Sequence, residues 1–381
     1  MRLIHTSDWH LGRTFHGQSL LADQEVVLSA LADLAAEHGA DVVLLSGDLY
    51  DRAVPSPEAV QCATRILARL RDAGIAVVAI SGNHDSAPRL GAFTDFLAVG
   101  GLHLRTAFAA AGEPVMLSDD AGPVAVYPIP YLEPDLARGV WDLPSPAGHQ
   151  HVMKAALTRV RSDLGSRAPG TRSVVLAHAF VVGAAPAGSE RSIAVGGVES
   201  VTADLFDGFD YVALGHLHRA QVVSHRVRYC GSPLPYAFSE AGQRKGVWLI
   251  DLDAGGGAEI EQLELPEVRR LATIRGLMDD ILHGYSDLVD AYLSIELTDL
   301  VRPLEPMRRL RERFPHALVT QWSPAQPDGP AGTTGAPNGH RADGLLLTDF
   351  VMAVRGSEPT PGERVLLQQS LVAERLAEPV R

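Results

Sequence analysis

Five short apolar runs in the first 250 residues each lead into a side chain that can hold a metal ion, and this pattern leaves few folds open. Leu3-Ile4-His5-Thr6-Ser7 runs into Asp8-Trp9-His10, and Val42-Val43-Leu44-Leu45-Ser46 into Gly47-Asp48. Val77-Val78-Ala79-Ile80-Ser81 runs into Gly82-Asn83-His84-Asp85, Val174-Val175-Leu176-Ala177 into His178, and Tyr211-Val212-Ala213-Leu214 into Gly215-His216-Leu217-His218. Runs of this length and composition read as buried strands. Between them, residues 22–38 and 57–73 space their apolar side chains by three and four, as amphipathic helices do. The alternation predicts an α/β layered domain. Val124 to Tyr127 and Val247 to Asp251 are expected as further strands that close a second sheet.

In open α/β sheets ligands bind beyond the carboxyl ends of the strands, which is where all five sets fall. On extended backbone, residues i and i+2 point the same way, about 6.6 Å apart at a rise of roughly 3.3 Å each. Asp8 with His10, and His216 with His218, are therefore expected as pairs aimed at one side, with Trp9 and Leu217 packed on the other. Gly47, Gly82 and Gly215 precede ligand types where the backbone must turn and approach the site closely. Imidazoles, carboxylates and one amide, without a thiolate, suit Mn²⁺, Fe or Zn²⁺ better than Ca²⁺ or a copper electron-transfer site. Seven ligands exceed a single tetrahedral zinc but fit two divalent ions that share a bridging carboxylate, Mn²⁺ being favoured. Two ions roughly 3.5–4 Å apart can activate a water for in-line displacement at phosphorus.

The chain is long enough, at 381 residues, for two or three domains. No apolar run reaches the roughly 18 residues of a membrane span, so no membrane association is expected. No cleavable leader is visible, and Cys62 and Cys230 form no spacing pattern, which together point to a reducing cytoplasm. The expected boundaries place a first domain at 1–265, a small α+β unit at 266–322, a Pro- and Gly-rich flexible linker at 323–342 and a helical tail at 343–381. Within the small unit a strand is expected at Ala291 to Leu297 and a helix at Leu304 to Phe314. His149 and His151 form an H-x-H, but at the start of a helical stretch, so a solvated helix terminus is expected rather than a ligand pair. The net charge of -13 argues against long-range attraction of nucleic acid. Metal ions would supply positive charge locally, however, and a partner can supply part of the binding surface.

The motifs D-x-H, G-D, G-N-H-D, H and G-H-x-H, in this order, resemble those of the calcineurin-like metallophosphoesterase superfamily. Residues 6–13 (TSDWHLGR), 47–51 (GDLYD), 81–86 (SGNHDS), 211–219 (YVALGHLHR) and 229–247 (YCGSPLPYAFSEAGQRKGV) resemble the SbcD branch of bacterial DNA-repair nucleases in particular. The resemblance implies a two-sheet sandwich with a capping domain and a helical tail. It also implies a 3′-to-5′ exonuclease on duplex ends, and an endonuclease on single strands and hairpins, in repair and recombination. DNA and the SbcC ATPase are the implied partners, with a second copy of the chain also a candidate. By the same analogy Asp8, His10, Asp48 and His218 hold one ion, while Asp48, Asn83, His178 and His216 hold the other. His84 would face the scissile phosphate as the catalytic residue, and Asp85 would orient a neighbouring imidazole. Asp51 stands where archaeal relatives have a histidine, so a substrate contact there is left open.

Residues 47–52 (GDLYDR) also resemble the GDxxDR of protein serine/threonine phosphatases, the rival reading. That family continues with glycine where this chain has Ala53, and has glutamate where this chain has Asp85. A non-catalytic scaffold for the ATPase would have lost ligands, and none is missing. Arg308, Arg309, Arg311 and Arg313 on one helix are a candidate DNA contact, with a solvated helix face as the alternative. In the tail, Leu346, Phe350, Val351 and Val354 make one apolar stripe, and Leu367, Leu371, Val372 and Leu376 a second. Thr360-Pro361-Gly362-Glu363 matches a capping box between them. Short amphipathic helices after a linker are marginal alone, so this tail is expected to dock on its own globular domain or on a partner, and the resemblance favours the SbcC ATPase.

Overall fold

A computed structural model describes residues 1–143, 145–190, 200–324 and 343–377. The chain divides into two units, Met1–Leu271 and Ala272–Arg381.

In the first unit, strands β1 (Arg2–Thr6), β2 (Val42–Leu45), β3 (Ala76–Ile80) and β4 (Leu102–Arg105) run parallel. The chain then builds a second sheet from β5 (Val115–Asp119), β6 (Gly122–Ile129), β7 (Arg172–His178), β8 (Tyr211–Gly215), β9 (Gln221–Val222) and β10 (Val227–Tyr229). It returns to the first sheet through β11 (Gly246–Leu252) and β12 (Ala258–Glu264). The orders are β12-β11-β1-β2-β3-β4 and β9-β10-β8-β7-β6-β5. Each sheet has a parallel centre and antiparallel additions at its margins. This is the α/β two-sheet sandwich expected. One detail differs: Val247 to Asp251 does not close the second sheet but pairs antiparallel with β1. Hydrophobicity locates a strand without naming its partner, and here the partner lies almost the whole domain away in sequence.

The helices α1 (Leu21–Glu37) and α2 (Pro57–Asp72) form where the apolar spacing placed them. Ser56 caps α2, its Oγ accepting from the Ala59 N–H at 3.2 Å, with Pro57 in the first turn. Such a cap contributes about 1 kcal/mol. The helix buries Ala59, Cys62, Ala63, Ile66 and Leu70, one stripe at helical spacing. On the second sheet, α3 (His149–Ser166) buries Val152, Met153, Ala156, Leu157 and Val160 in a core shared with Tyr127, Val175, Val212 and Leu214. His149 does start this helix, but it is buried rather than solvated, its ring 6.0 Å from that of Tyr131. A residue in the first turn can face inward as readily as outward, and spacing alone does not say which.

The sandwich is joined through His5. Its Nε2 lies 3.1 Å from the Leu214 carbonyl on β8, and its Nδ1 2.9 Å from the Tyr211 hydroxyl. Burial pushes this imidazole down to about 3, so it is neutral at ordinary pH.

The second unit holds a three-stranded sheet of Leu271–Gly276, Tyr292–Leu297 and Ala317–Trp322. The helix Pro306–Arg313 inserts Leu310, beside Phe314, into a core with Ile281, Leu293 and Ile295. Two helices, Asp343–Arg355 and Pro361–Ala377, end the described chain. The expected linker at 323–342 lies almost wholly outside the described residues. Among the described residues no helix is long and apolar enough to cross a membrane. Cys62 and Cys230 are both free thiols and buried.

Candidate metal centre

The five ligand-bearing loops meet where β1, β2 and β3 of one sheet and β7 and β8 of the other end. The backbone there is not extended. Asp8 (φ 54°), His10 (φ 45°), Asp48 (φ 53°) and His216 (φ 100°) all have positive φ. The expected i, i+2 pairs therefore do not sit on strand: β1 ends at Thr6 and β8 at Gly215. A left-handed conformation at a residue other than glycine costs of order 1–3 kcal/mol, and such strain is held only where surrounding contacts over-determine it. Those contacts are present. Asp8 N–H donates to the Gly47 carbonyl and His10 N–H to the Asp48 carbonyl, so the first loop rests on the second. Gln24 is fully buried and holds the same loop, its amide donating to the Trp9 and His10 carbonyls at 3.0 and 2.8 Å. Trp9 and Leu217 pack inside, as their alternation suggested.

Two glycines are required by close approach. A Cβ on Gly82 would fall 2.1 Å from Asp48 Oδ1, and one on Gly215 1.9 Å from the Ser46 carbonyl oxygen.

The candidate ligands converge. Asp8, His10 and His218 bring three donor atoms within 4.8 Å of one another, as do His10, Asp48 and His84, and Asp8, Asp48 and His178. Asp8, His10, Asp48, His178, His216 and His218 are all buried. Asp48 Oδ2 lies 3.5 Å from both His10 Nε2 and His178 Nε2. Asn83 Oδ1 is 2.9 Å from His178 Nε2 and 3.3 Å from His216 Nδ1.

These residues fit a cation. His178 Nδ1 is 2.9 Å from the Ser46 carbonyl, an acceptor only, so that nitrogen carries the ring proton. The neutral ring then turns a lone pair at Nε2 toward Asn83 Oδ1 and Asp48 Oδ2, two further acceptors. Three acceptors facing one point describe a site for a positive ion. His10 turns its Nε2 to the same centre, 3.0 Å from His218 Nε2, while its Nδ1 is buried without a hydrogen-bond partner. The electrostatics agree. Burial, with the neighbouring carboxylates Asp85 and Asp8, pushes Asp48 well up, and burial carries Asp8 up to about 8. Burial and the other cationic groups push His10, His178 and His218 well down. A divalent cation would restore charged carboxylates and requires neutral imidazoles.

The residues around this set take definite places. His84 Nδ1 lies 2.8 Å from the Asp51 carbonyl, and its ring centroid is 4.6 Å from that of His10. The Asp51 carboxylate is 3.4 Å from Arg13 and 3.7 Å from His10 Nδ1. Asp85 accepts backbone N–H bonds from Leu49, Tyr50 and Gly82, so what it orients is the backbone of the loop that carries Asp48. The expectation that it orients an imidazole gives way to this: three amide donors already point at its two oxygens. In the second unit, each arginine of the Pro306–Arg313 helix has a neighbour. Arg308 pairs with Glu305 and Arg309 with Asp279, Arg311 donates to the Ala317 carbonyl, and Arg313 lies over Phe314. In the tail, Phe350 and Val354 are exposed and Leu367 is half-buried, while the side chains of Leu346 and Leu371 lie outside those described.

No pattern in the sequence marks Gln24, Ser189 or Glu190 as part of the site, and Arg13 and Tyr236 stand inside the segments 6–13 and 229–247 without a role. Glu240 and Lys245 stood inside the 229–247 segment but without a role. Ser189 and Glu190 follow a small-residue loop that carries no periodic signal, and only the three-dimensional path brings them to His218.

The calcineurin-like phosphoesterase family model matches residues 1–220. The chain belongs to that family. It is a metal-dependent phosphoesterase, and the donor groups above are where its divalent ions can be held. Among solved structures, the phosphoesterase is similar to TT1561 of Thermus thermophilus (15% identity, 69% of this chain and 98% of that chain, TM-score 0.40). It is also similar to a dimetal phosphatase from Danio rerio (11% identity, 70% and 96%, TM-score 0.40) and to GAP50 of Plasmodium (11% identity, 87% and 99%, TM-score 0.35).

Proposed function

We propose that this phosphoesterase is a two-metal DNA nuclease subunit, related to the SbcD branch, that works with an SbcC-type ATPase in DNA repair. One observation carries the reading. The segment 229–247, one of the five stretches that resemble that branch, forms a wall of the metal centre. Tyr236 sets its ring 5.5 Å from those of both His10 and His218, and Lys245 Nζ donates to the His218 carbonyl at 2.7 Å. A signature built into the centre bears on the chemistry done there.

In this reading Asp8, His10, Asp48 and His218 hold one ion and Asp48, Asn83, His178 and His216 the other. Two divalent ions, Mn²⁺ foremost, supply a nucleophile at neutral pH and offset charge on the phosphoryl oxygens. The remaining work falls to the chain itself. The Asp51 carbonyl accepts the proton on His84 Nδ1, so Nε2 is the atom His84 can offer to substrate. Protonated there, it can donate to a departing oxygen. Arg13 stacks 4.7 Å over the Tyr236 ring and donates to the Ser189 carbonyl, which fixes a positive charge beside the centre. Such a charge helps an acidic chain to accept a polyanion.

The test is a side-by-side assay of the full chain with Mn²⁺ on hairpin DNA, duplex DNA and a phosphopeptide. Hydrolysis of hairpin and of duplex from the 3′ end is expected, with the phosphopeptide untouched. Turnover of the phosphopeptide alone would overturn the nuclease reading in favour of a protein phosphatase.

A further inference from the structure

Behind His218, on the side away from His10, lies a group of polar side chains that the mechanism above leaves without a task. Ser189 Oγ is 2.5 Å from His218 Nδ1 and 2.5 Å from Glu240 Oε1. Glu240 is fully buried, and its other oxygen is 2.5 Å from Lys245 Nζ. Lys245 is itself nearly buried. Its three protons have three acceptors: Glu240, the His218 carbonyl at 2.7 Å and Ser232 Oγ at 3.2 Å.

The proton count is determined. Paired with an ammonium, Glu240 is a carboxylate and can only accept. The single hydroxyl proton of Ser189 therefore points to Glu240. What Ser189 has left for His218 is a lone pair, so His218 Nδ1 must carry the ring proton. A neutral imidazole protonated at Nδ1 has its lone pair at Nε2. That atom lies 3.0 Å from His10 Nε2, inside the Asp8, His10 and His218 donor group.

Ser189 is held in place independently. The Glu190 carboxylate accepts four backbone N–H bonds, from Ala187 at 2.8 Å, Gly188 at 2.7 Å, Ser189 at 3.0 Å and His218 at 2.9 Å. One side chain thus pins the 187–189 loop to the backbone of the ligand it serves.

We propose that Lys245, Glu240 and Ser189 form a proton-ordering relay that locks His218 in the Nδ1–H tautomer and so presets its Nε2 as a divalent-metal ligand. Ser189 and Glu240 are positioning residues: they act through His218 and touch neither substrate nor ion. The inference rests on reading the site as a metal centre. It does not depend on DNA being the substrate. It also gives a task to the 229–247 segment, which supplies both the carboxylate and the ammonium.

The test uses the full chain labelled with ¹⁵N-histidine, stripped of metal by a chelator and studied at neutral pH. In the wild type, the His218 ring nitrogens should read as protonated Nδ1 and bare Nε2. Ser189→Ala should give a tautomer mixture, and Ser189→Thr, which keeps the hydroxyl, should restore the wild-type pattern. Calorimetric titration with Mn²⁺ should show one of two binding events weakened roughly 10–100-fold in Ser189→Ala, the range typical of lost outer partners of a metal-bound histidine. The other event should be unmoved, and Ser189→Thr should lie near the wild type. Circular dichroism establishes that each variant folds. A wild-type His218 protonated at Nε2, or Ser189→Ala binding both ions as tightly as the wild type, would overturn the relay. If the wild type binds no divalent ion, the metal-centre reading fails by itself and takes the ligand role of Nε2 with it. The ¹⁵N pattern then still decides whether the relay sets the tautomer.

Discussion

Asp48 occupies the middle of the centre. One oxygen lies 3.5 Å from two imidazoles, one in the loop after β1 and one at the end of β7, and the other accepts the His84 N–H at 2.9 Å. Asp48→Ala is expected to abolish hydrolysis and to reduce bound Mn²⁺, measured by elemental analysis, while the circular dichroism spectrum stays. A variant with wild-type rates would remove Asp48 from the bridging role. His84 should separate chemistry from binding. Its Nδ1 is anchored on the Asp51 carbonyl, which leaves Nε2 for substrate, so His84→Ala should keep the metal content and lower kcat by about 10²–10⁴, the usual contribution of a general acid. Loss of metal in that variant would make His84 a ligand instead. Residue types at strand ends were readable from the sequence because metal chemistry admits few donors. The left-handed backbone that aims Asp8, His10, Asp48 and His216 was not, because strain of that kind depends on contacts between loops distant in sequence.

At the scale of the element, the tail helices offer the clearest experiment. The capping box expected at Thr360 forms: Thr360 Oγ1 accepts the Glu363 N–H at 3.3 Å, and Glu363 accepts the Thr360 N–H at 2.7 Å. Arg355 reaches across from the preceding helix to Glu363 at 2.6 Å. The outward face keeps Phe350, Val354, Val365 and Leu366 more than half exposed. Deleting residues 343–381 should leave metal-dependent cleavage of single strands intact and prevent co-purification with the ATPase. Full complex formation by the truncated chain would rule the tail out as the tether. The arginine helix is the weaker candidate, since Arg308 and Arg309 already have carboxylate neighbours. If it nevertheless contacts phosphates, changing both to Glu should weaken DNA binding at low salt by more than tenfold in a filter assay, and no shift would reject the contact. Helices and strands stood out in the sequence because their periods repeat within one element. Which sheet β11 joins, and that His149 turns inward, are relations between elements, and no local pattern encodes them.

For the molecule as a whole, His5 makes the junction of the two sheets sensitive to acid. Its ring is fully buried and its folded value is depressed from an ordinary 6.5 to about 3. A depressed histidine contributes stability that is present above its unfolded value and lost as pH falls toward the folded one. Chemical denaturation midpoints should therefore drop between about pH 6.5 and 3, and His5→Gln should flatten that slope; an unchanged slope would show that other groups carry the acid sensitivity. The register of β1 has a different consequence, one of timing. Arg2 pairs with Asp251 and His5 with Trp248, so the inner edge of the first sheet gains its second neighbour only when β11 has been made. At roughly 5–20 residues per second, a ribosome takes on the order of 12–50 s to get there. Throughout that interval β1 presents unpaired amides and apolar side chains to whatever else is nascent nearby. The newborn chain thus has a long window in which a holding chaperone would matter, and it closes when β11 is added.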